Sequence, residues 1–325
     1  MEFNENFVKK LNKNCKANNT HTFYLSDFTQ EVRLIRKLFK KPPKDKPLSS
    51  LKLDWTKEEM QKCALLFYKD LDMDLYFTIK DRLTDLKNLV EVKNASKENK
   101  KELSCVGFGS EYEKLFVQIN PTDDVEGILV FVHEFAHLLP IRMKKLKPPK
   151  LFFISEVESA FCERLMIDYL HDNGVLDDNE YKNQINIYWN AFRKEAEWIL
   201  QEDDIIRKYK LPYPATLTDL VELDKKAQND KNYDMLMERL KLMTEGPKGN
   251  PVRHGSFAYK YVFGKVVAGE LYEDFKKDKE QTLKRFKKFL RKSNSYDSSR
   301  QGRDEVLQDL FVDGKERFLL ISKEK

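Results

Sequence analysis

Apolar residues recur along most of this chain at intervals of three and four, the spacing of one face of an α-helix. Phe3, Phe7, Val8, Leu11 and Cys15 predict a helix over 3–17. Phe28, Val32, Ile35, Leu38 and Phe39 predict a second over 26–40. The basic, proline-rich run Lys40–Pro47 stops it, because proline cannot continue a helix and restricts the residue before it. That run is an exposed connector. Thr56-Lys57-Glu58-Glu59 has the form of a capping box and starts a helix toward Asp70. Another helix is expected over 73–92, followed by a lysine-rich loop over 93–102. The period then changes. Cys105–Ser110 and Leu115–Asn120 are short runs joined by a polar link, the pattern of a β-hairpin. Pro121–Asp124 supplies turn and N-cap residues for a helix with Val125, Ile128, Leu129, Val132 and Ala136 as its buried stripe, ended by Pro140. A lysine-rich loop over 142–150 leads to a helix at 154–171, closed by Asp172-Asn173-Gly174. Further helices are expected at 178–209, 216–227, 230–245, 254–277, 280–292 and 303–311, with a break at Gly246–Pro251. The predicted fold class is therefore mainly α, with one small β-hairpin. It is expected as a single domain over 1–325, with a helical N-terminal part over 1–102 and a core over 103–315.

Composition narrows the class of protein. Of 325 residues, 41% are hydrophobic and 12% aromatic, enough for a sizeable core. Charged residues make up 35%, with both signs interspersed and a net charge of only +5. That is a solvated surface rather than a nucleic-acid footprint. Eleven glycines and eleven prolines are few for this length, which agrees with helix. No apolar run reaches the length of a membrane span, and Met1–Asn6 lacks the basic and apolar regions of a signal peptide. The four cysteines (15, 63, 105, 162) show no C-x-x-C spacing. Free thiols in a reducing compartment are the simpler expectation, so the chain is placed in the cytoplasm. No partner nucleic acid or membrane is expected, and the oligomeric state is left open.

One stretch changes the picture. Val130–Leu139 contains His133-Glu134-Phe135-Ala136-His137, an H-E-x-x-H inside an apolar run, in a chain with only five histidines. On a helix, residues four apart share a face. His133 and His137 can thus point two imidazoles at one metal ion, for which zinc is well suited. Glu134 lies one step round, placed to act as general base toward water at the metal. The competing explanation, a buried helix with two satisfied histidines, leaves Glu134 as a charge in an apolar run without purpose.

Catalytic zinc usually takes three protein ligands and keeps one open position. The run Leu138–Met143 lacks the Gly and His of the metzincin pattern. The remaining common solution is a Glu from the following helix, where Glu156, Glu158 and Glu163 are the candidates. Glu156, Ser159, Ala160, Glu163 and Ile167 share one helical face. Glu156 is therefore expected as the third ligand and Glu163, two turns along that face, as the residue that orients a ligand. Glu158 is expected to point elsewhere. The bland alternative is an ordinary surface helix with Ser155 and Glu158 as its capping box.

At these residues the chain resembles the thimet oligopeptidase / oligoendopeptidase F family of zinc peptidases. Three local motifs carry the resemblance. Phe116–Leu139 holds a strand ending in Asn, a polar turn and His-Glu-Phe-x-His. Glu156-Val157-Glu158-Ser159-Ala160-Phe161-Cys162-Glu163 is similar to the family's Glu-Val-Ala-Ser-Thr-Phe-Asn-Glu. His254–Gly264 is similar to the family's downstream His and its Phe-Tyr-Val-Tyr-x-Tyr segment. The match runs over roughly 105–315. Ala136 stands where the family has Gly, Ser256 and Ala258 stand where aromatics are common, and much of the family's long helical N-terminal region has no counterpart.

The resemblance implies a helical, zincin-type metallopeptidase domain that holds one Zn2+ per chain through His133, His137 and Glu156 and acts on short peptides. It also implies that His254, Tyr259 and Tyr261 donate hydrogen bonds to the substrate and to its developing oxyanion. The alternative for the aromatics is ordinary packing with exposed tips. The strand over 115–120 offers an edge to an extended peptide. Two other functions are kept: a peptide-binding protein that retains the metal but not turnover, and a specialised protease of one protein partner.

Overall fold

The computed structural model describes residues 2–17, 36, 49–85, 105–109, 114–140, 156–191, 193–212, 214–245, 253–293, 295–296 and 300–314. In chain order its elements are α1 (Glu5–Ala17), α2 (Lys57–Leu71), α3 (Met73–Asp85), β1 (Cys105–Gly109), β2 (Lys114–Gln118), α4 (Val125–Leu138), α5 (Val157–Asp172), α6 (Asp178–Asn190), α7 (Arg193–Tyr209), α8 (Leu217–Ala227), α9 (Tyr233–Glu245), α10 (Arg253–Lys277), α11 (Lys279–Lys292) and α12 (Arg300–Leu310). The protein is mainly α, as its periodicity predicts. Apart from Arg36, the helix expected over 26–40 lies outside the described residues. So do the proline-rich run, the loops over 93–102 and 142–150, and the break over 246–251. Among the described residues, no helix is long and apolar enough to cross a membrane.

Contacts divide the chain into two compact units, one of Met1–Pro42, Ala191–Val262 and Phe318–Lys325, the other of Pro43–Asn190 and Phe263–Arg317. In the first unit, Leu11 of α1 is buried with Ala215, Leu220, Leu223, Ala227, Leu236 and Leu240. The side chain of Asn12 donates to the carbonyl of Ala215 at 3.0 Å and accepts from its amide at 3.1 Å. Thr216 and Asp219 form a reciprocal capping box at the start of α8.

The second unit is built around α4. The expected capping box starts α2: Thr56 Oγ1 accepts from the Glu59 amide, and the Glu59 carboxylate accepts from the Thr56 amide. Asp124 caps α4, accepting from the Gly127 amide at 3.3 Å. The segment before α2 is tied to that same cap, since the amides of Leu53 and Val125 donate to the carbonyls of Asp123 and Leu51, both at 3.0 Å. β1 and β2 pair antiparallel, with Cys105 opposite Gln118 and Gly109 opposite Lys114. The whole predicted stripe of α4 is buried: Val125, Ile128, Leu129, Val132 and Ala136. It packs on α2, α3 and α5. After α5 the chain turns at Gly174, whose φ of +71° suits a residue without a Cβ.

Two buried tyrosines tie the helices together by their backbones. Tyr68 of α2 donates to the carbonyl of Val132 in α4 at 2.6 Å. Tyr188 of α6 donates to the carbonyl of Ala160 in α5 at 3.0 Å. Both sites sit within a turn or so of residues with candidate chemistry. Further out, Phe161 packs edge-on against Phe286 of α11 with ring centroids 5.0 Å apart. Lys287 reaches Asp72 at the α2–α3 junction at 2.8 Å.

Removing one such hydroxyl should weaken the unit without emptying its core. Tyr68→Phe is expected to lower stability by about 1 kcal/mol, the usual net worth of one buried hydrogen bond. Urea unfolding followed by circular dichroism measures this. An unchanged midpoint would show that the bond to Val132 contributes nothing.

Candidate metal centre

The site forms where α4 and α5 face each other. Regular helix through Leu138 stacks His133 and His137 one turn apart, with ring centroids separated by 4.7 Å and planes at 87°. Their Nε2 atoms converge to 3.0 Å. Glu156 Oε2 lies 3.4 Å from His133 Nε2 and 3.6 Å from His137 Nε2. The spacing predicts α5 from 154, but it begins at Val157 and Glu156 is its N-cap, at φ −117° and ψ 3°. The Glu156 carboxylate makes no cap bond to its own helix. Ser159 Oγ holds it instead, 3.2 Å from the Glu156 carbonyl and 3.3 Å from Oε2.

These residues fit a zinc ion. Bond lengths of ~2.05 Å in a tetrahedral site put ligand atoms roughly 3.3 Å apart. The three measured separations, 3.0, 3.4 and 3.6 Å, bracket that value. Two imidazoles and one carboxylate are a known catalytic zinc set, and three ligands leave a fourth position open.

The far nitrogen of each ring meets an acid. His133 Nδ1 lies 2.5 Å from Glu163 Oε1, and His137 Nδ1 lies 3.2 Å from Glu158 Oε1. A neutral ring that donates Nδ1–H keeps its Nε2 lone pair for a metal. Glu163 stands behind the first ring. Glu158, expected to point elsewhere, is 3% exposed and backs the second ring. The helical count cannot start from Glu156, which is not in helical conformation. Counted along α5 itself, Glu158 and Glu163 flank the two rings from either side.

Lys265 of α10 has no counterpart in the sequence expectations. Its Nζ lies 2.6 Å from Glu163 Oε2 and 3.3 Å from the centroid of the Tyr188 ring. Gly264, its neighbour, brings α10 against the backbone of Glu156, since a Cβ there would fall 2.7 Å from the Glu156 carbonyl oxygen. The sequence signal was slight: a lysine inside an otherwise apolar stretch, Val262–Ala268.

Charge governs the site. Glu134 is 4% exposed. Burial pushes its carboxyl above the ordinary value, against the pull of both histidines. Among the described residues its Oε2 has no hydrogen-bond partner. Burial alone would lower His133, but Glu156 and Glu163 override it and raise the ring to about 9. His137 is likewise raised by Glu156 and Glu158 against burial. Burial would raise Glu163, yet Lys265 and His133 bring it down to about 2. Burial also lowers Lys265, against the pull of Glu163.

His254 and Tyr259 lie in α10, with side chains outside the described residues. Tyr261 is half-buried, with the Lys260 ammonium 4.6 Å from its ring centroid. These three belong to the first unit and the metal cluster to the second.

No protein-family model and no curated protein sequence matches the chain. Solved structures do. A crystal structure described as a candidate oligoendopeptidase F from Bacillus anthracis str. Ames is similar with a TM-score of 0.53 and 10% identity, over 99% of this chain and 55% of that one. A candidate peptidase from Chlamydophila abortus is similar with a TM-score of 0.50 and 17% identity, over 98% of this chain and 55% of that one. PZ peptidase A, solved with an inhibitor, is similar with a TM-score of 0.50 and 12% identity, over 95% of this chain and 55% of that one. The chain thus has a helical peptidase fold. The fold expected from the resemblance to the oligoendopeptidase F family is the one it adopts, and it spans about half the length of the solved chains it matches.

Two expectations follow from this geometry. Gly264→Ala should force the Glu156 backbone to shift and weaken zinc binding about tenfold or more. Gly269→Ala is the control, because its Cβ would meet only the ring of Trp189, which is 37% exposed and can move. Competition with a fluorescent chelator compares them, and equal affinities would sink the assigned role of Gly264. The second expectation concerns pH. A ring raised from 6.5 to about 9 adds stability that is whole below pH 6.5 and lost as pH rises through 9. Glu163, lowered from 4.5 to about 2, adds stability that is whole above pH 4.5 and lost as pH falls through 2. Metal-free protein should therefore lose thermal stability between pH 6.5 and 9. The rise in Tm on adding zinc should grow across the same interval, since zinc and protons compete for the rings. Thermal scans with and without zinc decide it, and a zinc effect that shrinks with pH would count against the rings as ligands.

Proposed function

We propose that the protein is a zinc-dependent peptidase acting on short peptides, with one ion per chain held by His133 Nε2, His137 Nε2 and Glu156 Oε2. The observation that carries this is the convergence of those three atoms, all within 4.8 Å of one another, at the junction of two buried helices. The peptidase fold of the structural relatives supports the same class of reaction. When bound, the ion supplies Lewis acidity toward the scissile carbonyl and toward water.

The chain's own residues then account for the proton's path. Glu134 Oε2, buried and without a partner among the described residues, accepts the proton of the attacking water. The hydroxyl adds to the carbonyl carbon, the C–N bond breaks, and Glu134 returns the proton to the leaving amine. The raised affinity of this carboxyl for protons suits both halves of the task. Glu158 and Glu163 hold the ring orientations. His254, Tyr259 and Tyr261 are proposed, on the family resemblance alone, as donors to the substrate and to the carbonyl oxygen where negative charge develops.

Glu134→Gln keeps the volume and removes the base. It is expected to bind zinc like the parent while peptide turnover falls about 10²- to 10⁴-fold. The assay is cleavage of a mixed peptide library by zinc-loaded protein, read by mass spectrometry, with and without 1,10-phenanthroline. Parent-rate cleavage by the variant would overturn the role of Glu134, and cleavage indifferent to chelator would overturn the metal. Peptides bound but never cut would instead favour a binding protein.

A further inference from the structure

We infer that Lys265 is the positioning residue of the site: a buried cation that fixes Glu163 so that Glu163 can fix His133 toward the metal. This rests on the proposed metal site and goes beyond its ligands. The geometry is a relay. Lys265 Nζ lies 2.6 Å from Glu163 Oε2, and the other oxygen of that carboxylate, Oε1, lies 2.5 Å from His133 Nδ1. Each oxygen of Glu163 thus has its own partner, and the carboxylate cannot rotate without breaking one contact.

Lys265 is itself immobilised. Its side chain is 8% exposed. Its ammonium lies over the Tyr188 ring at 3.3 Å, and the Tyr188 hydroxyl is anchored on the Ala160 carbonyl. A lysine is rarely buried unless it is paired, and this one is paired with a group that touches a candidate ligand. Charge points the same way. Glu134, Glu156, Glu158 and Glu163 surround one cation site, so a dication leaves two negative charges uncompensated when the rings are neutral. Lys265 removes one of them at Glu163. His137 differs: among the described residues no lysine pairs with Glu158, the acid behind it, so the two rings are held unequally.

Lys265→Met keeps the length of the side chain and removes its charge. It is expected to weaken zinc binding about 10- to 100-fold, the usual effect of losing a partner one step behind a ligand. Glu163→Gln should lose a similar factor. If Lys265 acts through Glu163, the double variant loses no more than the weaker-binding single variant. Zinc affinity is read for the full chain by chelator competition, with circular dichroism confirming the fold. Should Lys265→Met not fold, Lys265→Gln replaces it in the same cycle. Losses that multiply in the double variant would reduce Lys265 to packing against Tyr188 and overturn the inference. So would parent-like affinity in the Lys265 variant. Failure of the parent chain to bind zinc would instead overturn the metal site itself, which keeps the two failures distinct.

Discussion

Two imidazoles and four carboxylates share the space between α4 and α5, and that crowding constrains the rest of the second unit. Buried carboxylates are destabilising unless each finds a partner. Glu156 and Glu158 are each 3% exposed and Glu134 4%. The rings and Lys265 divide part of that charge, and the cation proposed for the site would take up more of it. Geometry must be held as tightly as charge. A helix that slipped by one residue would rotate its side chains by about 100° and carry a ring off the shared point. The bonds from Tyr68 to the Val132 carbonyl and from Tyr188 to the Ala160 carbonyl oppose such slippage, because they grip backbone rather than side chains. The cap at Asp124 fixes where α4 begins, and so fixes the phase at which His133 and His137 emerge.

Much of this was legible in the amino-acid sequence because it obeys local rules. The H-E-x-x-H spacing needs only the helical period. The capping box at Thr56 and the cap at Asp124 are readable within four residues. Even the hairpin ahead of α4 is marked by a change of period. Glu156 and Glu163 are candidates in the sequence because both acids fall within one predicted helix close behind the two histidines, although Glu156 proves to be the N-cap of α5 rather than part of its helical face. The direction of Glu158 is not legible in this way because it depends on where α5 starts, and a shift of one or two residues in a helix start turns a side chain through much of a circle. Lys265 was not found because its partner is 102 residues away. No local period connects the two, and a lone lysine in an apolar stretch gives no hint of the acid it will meet.

The structure also explains why α10 has to come so close. A helix recruited only to cover apolar surface could be spaced by ordinary side chains, at the usual 8–10 Å between axes. At residue 264 there is no room for a side chain at all, since a Cβ would strike the carbonyl oxygen, the carbonyl carbon and the Cβ of Glu156. One residue later, a long side chain reaches Glu163. The smallest residue and one of the longest are thus adjacent in sequence and serve neighbouring parts of one site. Glycine sets the distance from α10 to the residue proposed as third ligand, and at that distance lysine spans to the acid behind the first ring. Move α10 outward and both contacts are lost together. For that reason the support of His133 and the placement of Glu156 are best regarded as one constraint, imposed by a single pair of residues on a helix that, among the described residues, supplies none of the three clustered donors.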